Sequence, residues 1–399
     1  MKPLNGVRLL DLTHMLSGPY GAMLLADLGA ETIKVEPPQS GEGTRKLLAK
    51  NPKFSMHGMG AYFLTLNRNK RSVCLDLKSD EGLSLFYDLV RQSDVVMDNF
   101  GAGVTERLGI DHASLAAINP RIISCSVTGF GSDGPDPYRP AFDQIIQGMS
   151  GGMSITGEEG GRPLRAGIPI GDLGGGMFGA MGILSALLAR QQTGRGQHVD
   201  ISMLDGQISL LNYMATMFSL SGENPGPLGN SHFVHVPYNT FETATRPIII
   251  AVIFDNFWER LVDLVDIPEF RNEKYLTQPG RLEDRGFIQR KLQEVLLQRS
   301  AEEWLELLNE SKIPAGPVNN FEQALNDVQV RHRNMVVEVE HPRGGVTEMP
   351  GNPVKFSETI AESFSPPPEL GQDTDQVLRE LLGIDSSRLD ELRSKSVIK

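Results

Sequence analysis

Over residues 7–127 the chain alternates short β-branched and apolar runs with helical periodicities, and few folds accommodate that alternation. Residues 7–12, 31–36, 72–77, 95–98 and 122–127 read as strands, with helices at 20–28, 81–91 and 104–108 between them. Repeated βαβ units need crossovers, and crossovers give a mostly parallel, doubly wound α/β sheet. Ligands of such sheets bind beyond the carboxyl ends of the strands. Those ends are residues 14–18, 36–43, 98–103 and 128–140, all rich in Gly, Pro and polar side chains. Glu36 stands where a ribose-binding acid of a dinucleotide site would stand. The turn after the first strand reads THMLSGPYG, however, and lacks the G-x-G-x-x-G that lets backbone approach a pyrophosphate. Glu36 is therefore expected to be a solvated strand-end charge.

A second constraint lies in residues 165–205, RAGIPIGDLGGGMFGAMGILSALLARQQTGRGQHVDISMLD. Met177, Met181, Leu184 and Leu188 recur at spacings of three and four, which predicts a helix packed by that face. Gly194 stops it, and Arg190 sits in its last turn, as a helix C-terminus favours. Asp172 then falls at or just before the helix start, where unpaired N–H groups and the macrodipole favour an ionised carboxylate. Two readings of Asp172 stand: an N-cap, or a nucleophile or base beside an anion site lined by Gly174, Gly175 and Gly176.

The net charge of -12 argues against nucleic acid and anionic membranes as partners. Cys74 and Cys125 lie in strand-like runs without C-x-x-C spacing, as small core residues of a reduced, cytoplasmic protein would. No signal-peptide pattern opens the sequence, and no apolar run is expected to reach the length of a membrane span. The eight histidines are scattered without metal-helix spacing, so no metal is expected. At 399 residues two domains are expected. A Gly-, Pro- and Asn-rich stretch at 219–239 marks a junction. Strands at 240–243 and 247–252 and helices at 256–265, 285–298 and 301–311 then suggest a smaller α+β domain. The boundaries are 1–218, 219–325, and 326–399, the last returning to pack on the first domain or on a partner subunit.

LDLTHMLSGPYG, LGAETIKVEPP, NKRSVCLDLKS, DNFGAGVTERLG, RPAFDQIIQGMSG, the 167–206 segment, IPAGPV and MPGNPVKFS together resemble the class III CoA-transferases, which include formyl-CoA transferase, carnitine-type transferases and the alpha-methylacyl-CoA racemases. The resemblance covers nearly the whole chain. It implies an open Rossmann-like large domain formed by both chain ends, a smaller domain between, and an interlocked homodimer. It implies substrates too, an acyl-CoA and a free carboxylic acid, with coenzyme A esters as substrates rather than a tightly bound cofactor. Asp172 would be the nucleophile, passing through an aspartyl anhydride and an aspartyl-CoA thioester, with N–H donors at the helix start for the oxyanion.

The CoA contacts implied are Leu16, Ser17, Leu75, Asp76, Leu77, Lys78, Asn99, Phe100, Gly101, Arg107, Pro140, Ala141, Phe142 and Asp143. Lys78 and Arg107 are candidates for phosphate pairing or are solvated charges. Formyl-CoA transferase has basic residues where this chain has Pro37 and Pro140, so Arg45, Arg71 or Arg139 is a candidate to compensate. Its glycine-rich gating loop corresponds to a shorter segment around Gly229. Arg165, His232, His235 and Arg246 are candidates for the second carboxylate of a dicarboxylate acceptor. Racemases of this kind place a histidine where this chain has Phe142, a ring that carries no proton; besides a CoA contact, Phe142 reads equally well as a core aromatic. A racemase and a CoA-binding protein without catalysis are the alternatives to a transferase.

Overall fold

The apolar runs of the first two hundred residues form one six-stranded sheet. In the computed structural model, which describes residues 1–359 and 362–399, its strands are β1 (Arg8–Asp11), β2 (Glu31–Glu36), β3 (Lys70–Cys74), β4 (Val95–Asp98), β5 (Ile123–Thr128) and β6 (His198–Ser202). The order is 3-2-1-4-5-6, with every neighbouring pair parallel. β1, β2 and β4 are buried on both faces, as parallel strands sandwiched between helices must be. The order reverses between β1 and β4, and such a reversal opens a crevice beyond the carboxyl ends of the two strands. The chain passes that crevice at residues 12–17 and again at 99–101.

Helices on this sheet include α1 (Ser17–Asp27), α2 (Asp80–Arg91), α3 (Asp143–Met149), α4 (Ile170–Thr193) and α5 (Met203–Leu211), of which all but α2 contribute residues to the crevice. α4 corrects the expected packing face. Met177, Met181 and Leu188 are 42%, 56% and 63% exposed, whereas Gly174, Gly175, Gly176, Gly179, Ala180, Ile183, Ala186 and Leu187 are buried. A Cβ on Gly176 would lie 2.4 Å from the Ser17 carbonyl oxygen, and one on Gly21 2.6 Å from the Gly176 carbonyl. The glycines therefore let α1 and α4 touch backbone to backbone, and no anion site is needed to explain them. α4 also corrects the expectation about apolar runs: its 24 residues, with a hydropathy of 1.4, are long and apolar enough to cross a membrane. Its small-residue face packs on α1 and the sheet.

The chain divides into two compact units, one of Met1–Gly152, Arg165–Gly222 and Gln329–Lys399, the other of Met153–Leu164 and Glu223–Val328. Residues 153–164, placed by the sequence in the first domain, group with the second unit. That unit's core gathers Trp258, Phe270, Trp304 and Leu308 beside an antiparallel sheet of β7 (Tyr238–Phe241), β8 (Ile248–Ala251) and β9 (Ala315–Pro317). In the first unit two helices that the sequence reading did not mark, α6 (Thr374–Leu382) and α7 (Ser386–Ser394), supply Val377, Leu378, Leu389 and Leu392 to the core holding Leu10, Ile33, Val73 and Phe86. Cys74 and Cys125 are free and buried, and burial pushes the Cys74 thiol up to about 12.

Charges are buried beneath the crevice. Asp11, at the end of β1, accepts from Lys70 Nζ at 2.8 Å and lies 3.7 Å from Lys34 Nζ, all three side chains essentially inaccessible. The spare hydrogens go to backbone: Lys34 Nζ donates to the Thr13 carbonyl at 2.8 Å and Lys70 Nζ to the Pro19 carbonyl at 3.1 Å. Burial works to raise the Asp11 carboxyl, but Lys34 and Lys70, with hydrogen bonds from Lys70 and Thr13, outweigh it and hold it at about 2. Burial pulls Lys70 down to about 8 despite Asp11, because one carboxylate serves two ammonium groups.

Removing the anion strands two buried cations, so Asp11→Asn is expected to cost about 3–5 kcal/mol in urea unfolding. A depressed carboxyl contributes stability above its unfolded pKa, lost as pH falls through the folded one. Wild type should therefore lose about 2 kcal/mol between pH 5 and 2, a loss that Asp11→Asn lacks. Equal acid sensitivity in the two proteins would refute this assignment.

Candidate active site

A cavity of about 580 Å³ occupies the crevice, lined by His14, Leu16 and Ser17 after β1, Asn99, Phe100 and Gly101 after β4, residues 137–144, Arg165 and Asp172. It thus brings together Asp172 with the candidate contacts Leu16, Ser17, Asn99, Phe100, Gly101, Pro140, Ala141, Phe142 and Asp143. A second cavity of about 500 Å³ is lined by Leu75, Asp76, Leu77 and Lys78, with Glu36 and residues 37–40. His14 and Phe100 line both. Arg107 lines neither; it is exposed, on the short helix Val104–Leu108 whose Val104 and Leu108 face the second cavity.

Asp172 lies inside the first turn of α4 and caps nothing. The cap residue is Pro169, which offers no side-chain bond. Asp143 takes that part from α3: its Oδ1 accepts the Gly171 N–H at 2.8 Å and the Asp172 N–H at 3.4 Å, while Oδ2 accepts Gln147 Nε2 at 2.7 Å. Ile170 and Leu173 donate to the carbonyls of Ile168 and Pro169. Every first-turn N–H is therefore committed, and the helix start does not supply the free oxyanion donors expected of it. The Asp172 carboxylate gains no hydrogen bond among the described residues. Burial first, and then the Asp143 charge, push it up to about 6. It is half-buried and bordered by a like charge, so it is a more basic carboxylate than an ordinary aspartate.

Asn99 is used on the loop after β1. Its Oδ1 accepts the His14 N–H at 2.7 Å and its Nδ2 donates to the His14 carbonyl at 2.7 Å. Phe142 is 69% exposed on the cavity wall, among the implied contacts, and is not a core aromatic. Glu36 is not solvated either: it is buried, accepting Arg45 Nε at 2.6 Å, Arg45 Nη2 at 2.7 Å and Ser72 Oγ at 2.7 Å. Burial favours the neutral acid, but the Arg45 bonds outweigh it and hold the carboxyl below the usual range.

Arg45 is thereby spent, and Arg71 pairs with Glu31 and Glu380. Of the three compensating arginines only Arg139 lines the cavity, with Asp136 3.5 Å away. Arg165 lines it also. Arg246, by contrast, pairs with Glu302 in the second unit, and His232 Nδ1 accepts the N–H groups of Val234 and His235 there. Gly229 belongs to that unit, donating to the Gly157 carbonyl at 2.8 Å. Sequence reasoning left out Tyr62, which lines the cavity from a segment with no periodic signal, and Tyr138, which lies in the marked 128–140 loop. It also left out His14, although the loop holding it had been marked. No group of three His, Cys, Asp or Glu side chains among the described residues is placed to hold a metal ion.

A sequence model described as CoA-transferase family III matches residues 4–374. An acetyl-CoA:oxalate CoA-transferase of Acetobacter aceti is 38% identical over 357 residues, 89% of this chain and 89% of that protein. A succinate–glutarate CoA-transferase of Agrobacterium fabrum is 37% identical over 385 residues, 95% of this chain and 96% of that one. Among solved structures, a CAIB/BAIF family protein from Brucella suis has a TM-score of 0.84 at 35% identity, covering 95% of this chain and 99% of its own.

A carboxylate acts as nucleophile or base only as the anion, so any turnover that depends on Asp172 should fall on the acid side through about pH 6, the value at which this carboxyl is held. Asp143→Asn keeps an oxygen for the Gly171 N–H and removes the neighbouring charge, so the acid limb should move to lower pH. A limb that stays in place in this variant would show that Asp143 does not set the ionisation of Asp172.

Proposed function

The chain belongs to CoA-transferase family III and is an acyl-CoA:carboxylate CoA-transferase; on that premise we propose that Asp172 is its nucleophile and a small dicarboxylate its acceptor. The observation that carries this is the Asp172 carboxylate itself: unbonded, raised to about 6, and facing a cavity of about 580 Å³. The anion attacks the thioester carbonyl of the donor, the C–S bond breaks, and an aspartyl anhydride forms beside a CoA thiolate. The thiolate attacks the aspartyl carbonyl, the donor acid departs as carboxylate, and an aspartyl-CoA thioester remains. The acceptor carboxylate then attacks this thioester, and the released thiolate takes the acceptor's acyl group, restoring Asp172. Each step exchanges one activated acyl bond for another, so the energy of the thioester is conserved.

Phe142 lines the same cavity and offers no second proton-transfer group, which favours transfer over racemisation. Arg139 and Arg165 line it too and are the guanidinium groups available to pair the distal carboxylate of an acceptor. The names of the relatives, with oxalate and glutarate as acceptors, support an acid of this kind.

Asp172→Ala should keep its fold and lose all transfer, and wild type incubated with acyl-CoA alone should yield a CoA adduct on the peptide containing Asp172 by mass spectrometry. Turnover by the alanine variant would refute the nucleophile. In a panel of acids with one donor, dicarboxylates should be preferred, and Arg165→Met should raise their KM roughly tenfold or more, as loss of a charged hydrogen bond does. Preference for monocarboxylates would refute the acceptor class.

The exposed side of α4, with Met177, Met181 and Leu188, continues into Ile208, Leu210, Tyr213 and Met217 as an apolar surface. Contiguous surfaces of this kind mark association sites, and it is the face on which we place a homodimer contact. Sedimentation should give a dimer that Met181→Glu weakens; a wild-type monomer at micromolar concentration would refute the contact.

A further inference from the structure

His14 lines both cavities of the crevice, and it has no part in the steps above. Its position is fixed more firmly than a loop residue's usually is. Asn99 grips its peptide N–H and its carbonyl, each at 2.7 Å. Its ring lies 5.3 Å from that of Phe100, the other residue shared by both cavities. Neither ring nitrogen bonds another described residue, although the side chain is half-buried. Burial, and Lys34 below it, draw its pKa down to about 4, so the imidazole is neutral at working pH. A neutral imidazole has one N–H donor and one bare nitrogen acceptor. That pair matches a secondary amide, which also offers one of each.

A linear ligand that fills both cavities must run over the His14–Phe100 ring pair, which lines both. Coenzyme A is such a ligand, with a nucleotide at one end, a thiol at the other and two secondary amides along the arm that joins them. We propose that His14 is a donor-specificity residue that hydrogen-bonds an amide of the pantetheine arm where it passes between the two cavities. This rests on the CoA-transferase reading above and adds to it a residue that recognises the arm rather than the phosphates or the thioester.

Calorimetric titration of CoA and of adenosine 3′,5′-bisphosphate into wild type, His14→Phe and His14→Gln tests it. His14→Phe keeps a ring against Phe100 and removes both hydrogen-bonding atoms. It should weaken CoA by about tenfold, the scale of one or two lost neutral hydrogen bonds, and leave the bisphosphate unchanged. His14→Gln, with a donor and an acceptor, should recover most of the loss, and His14→Leu serves if the Phe variant does not fold. In turnover the donor KM should rise with kcat and the acceptor KM unchanged. Wild-type CoA affinity in His14→Phe, an equal loss for the bisphosphate, or no rescue by Gln would overturn the assignment while leaving the transferase mechanism standing. Failure of the wild type to bind CoA would overturn both.

Discussion

One carboxylate, Asp11, answers to two buried ammonium groups, and the shape of the crevice depends on that imbalance. A single anion cannot satisfy two cations, so each lysine turns its remaining hydrogens to main-chain carbonyls, Lys34 to Thr13 and Lys70 to Pro19. These two carbonyls bracket the segment 14–17 that forms the cavity edge. Asn99 then grips His14, the first residue of that segment, from the neighbouring strand end. The loop is held at both ends by buried polar contacts, each costly to break once desolvated. That fixes it to a degree that its high content of loop-forming residues would not suggest.

The reacting end of the crevice is arranged in the opposite sense. A helix N-terminus ordinarily stabilises a carboxylate through its free N–H groups, yet here Asp143 takes those bonds and Asp172 receives none. The more stable arrangement would bond both acids. By satisfying Asp143 first, the fold keeps one carboxylate firmly bonded and leaves its neighbour the more basic of the two. Separating two like groups in this way is how a site assigns different work to chemically identical side chains. On the proposed mechanism, the oxyanion formed on attack must be met by donors other than those of the first turn.

Five of the sheet's six strands were legible in the sequence, because parallel strands buried on both faces are written as continuous apolar runs and the periods of their helices are long enough to recognise; the partly exposed edge strand β6 was not marked. β2 and β4 match to the residue. α4 was legible in extent but not in orientation. Met177, Met181 and Leu188 carry far more hydropathy than Gly174, Gly175, Gly176 and Ala180, so a periodicity weighted by hydropathy points to the wrong side of a helix that buries its small residues. The site divided similarly. Residue type and local motif were enough to pick out Asp172, but nothing local discloses that Asp143, 29 positions away, would take the helix cap, or that Arg45 would be bound to Glu36. Such outcomes are set by competition between side chains distant in sequence, and a helix α7 of low amphipathicity in the C-terminal segment gave no signal at all.

The interruption of the first unit by the second has a consequence for how the chain is made. The core that holds Leu10 and Ile33 also holds Val377, Leu389 and Ile398, so the earliest-made strands wait for the last-made helices. During synthesis at roughly 5–20 residues per second, β1 and β2 would emerge some twenty seconds or more before their final neighbours. The second unit, made almost entirely of residues 223–328, has its own core at hand well before then. Nascent chains should therefore carry a folded insert flanked by an unfinished sheet, whose exposed apolar strands make chaperone capture and premature association the main hazards of its biogenesis.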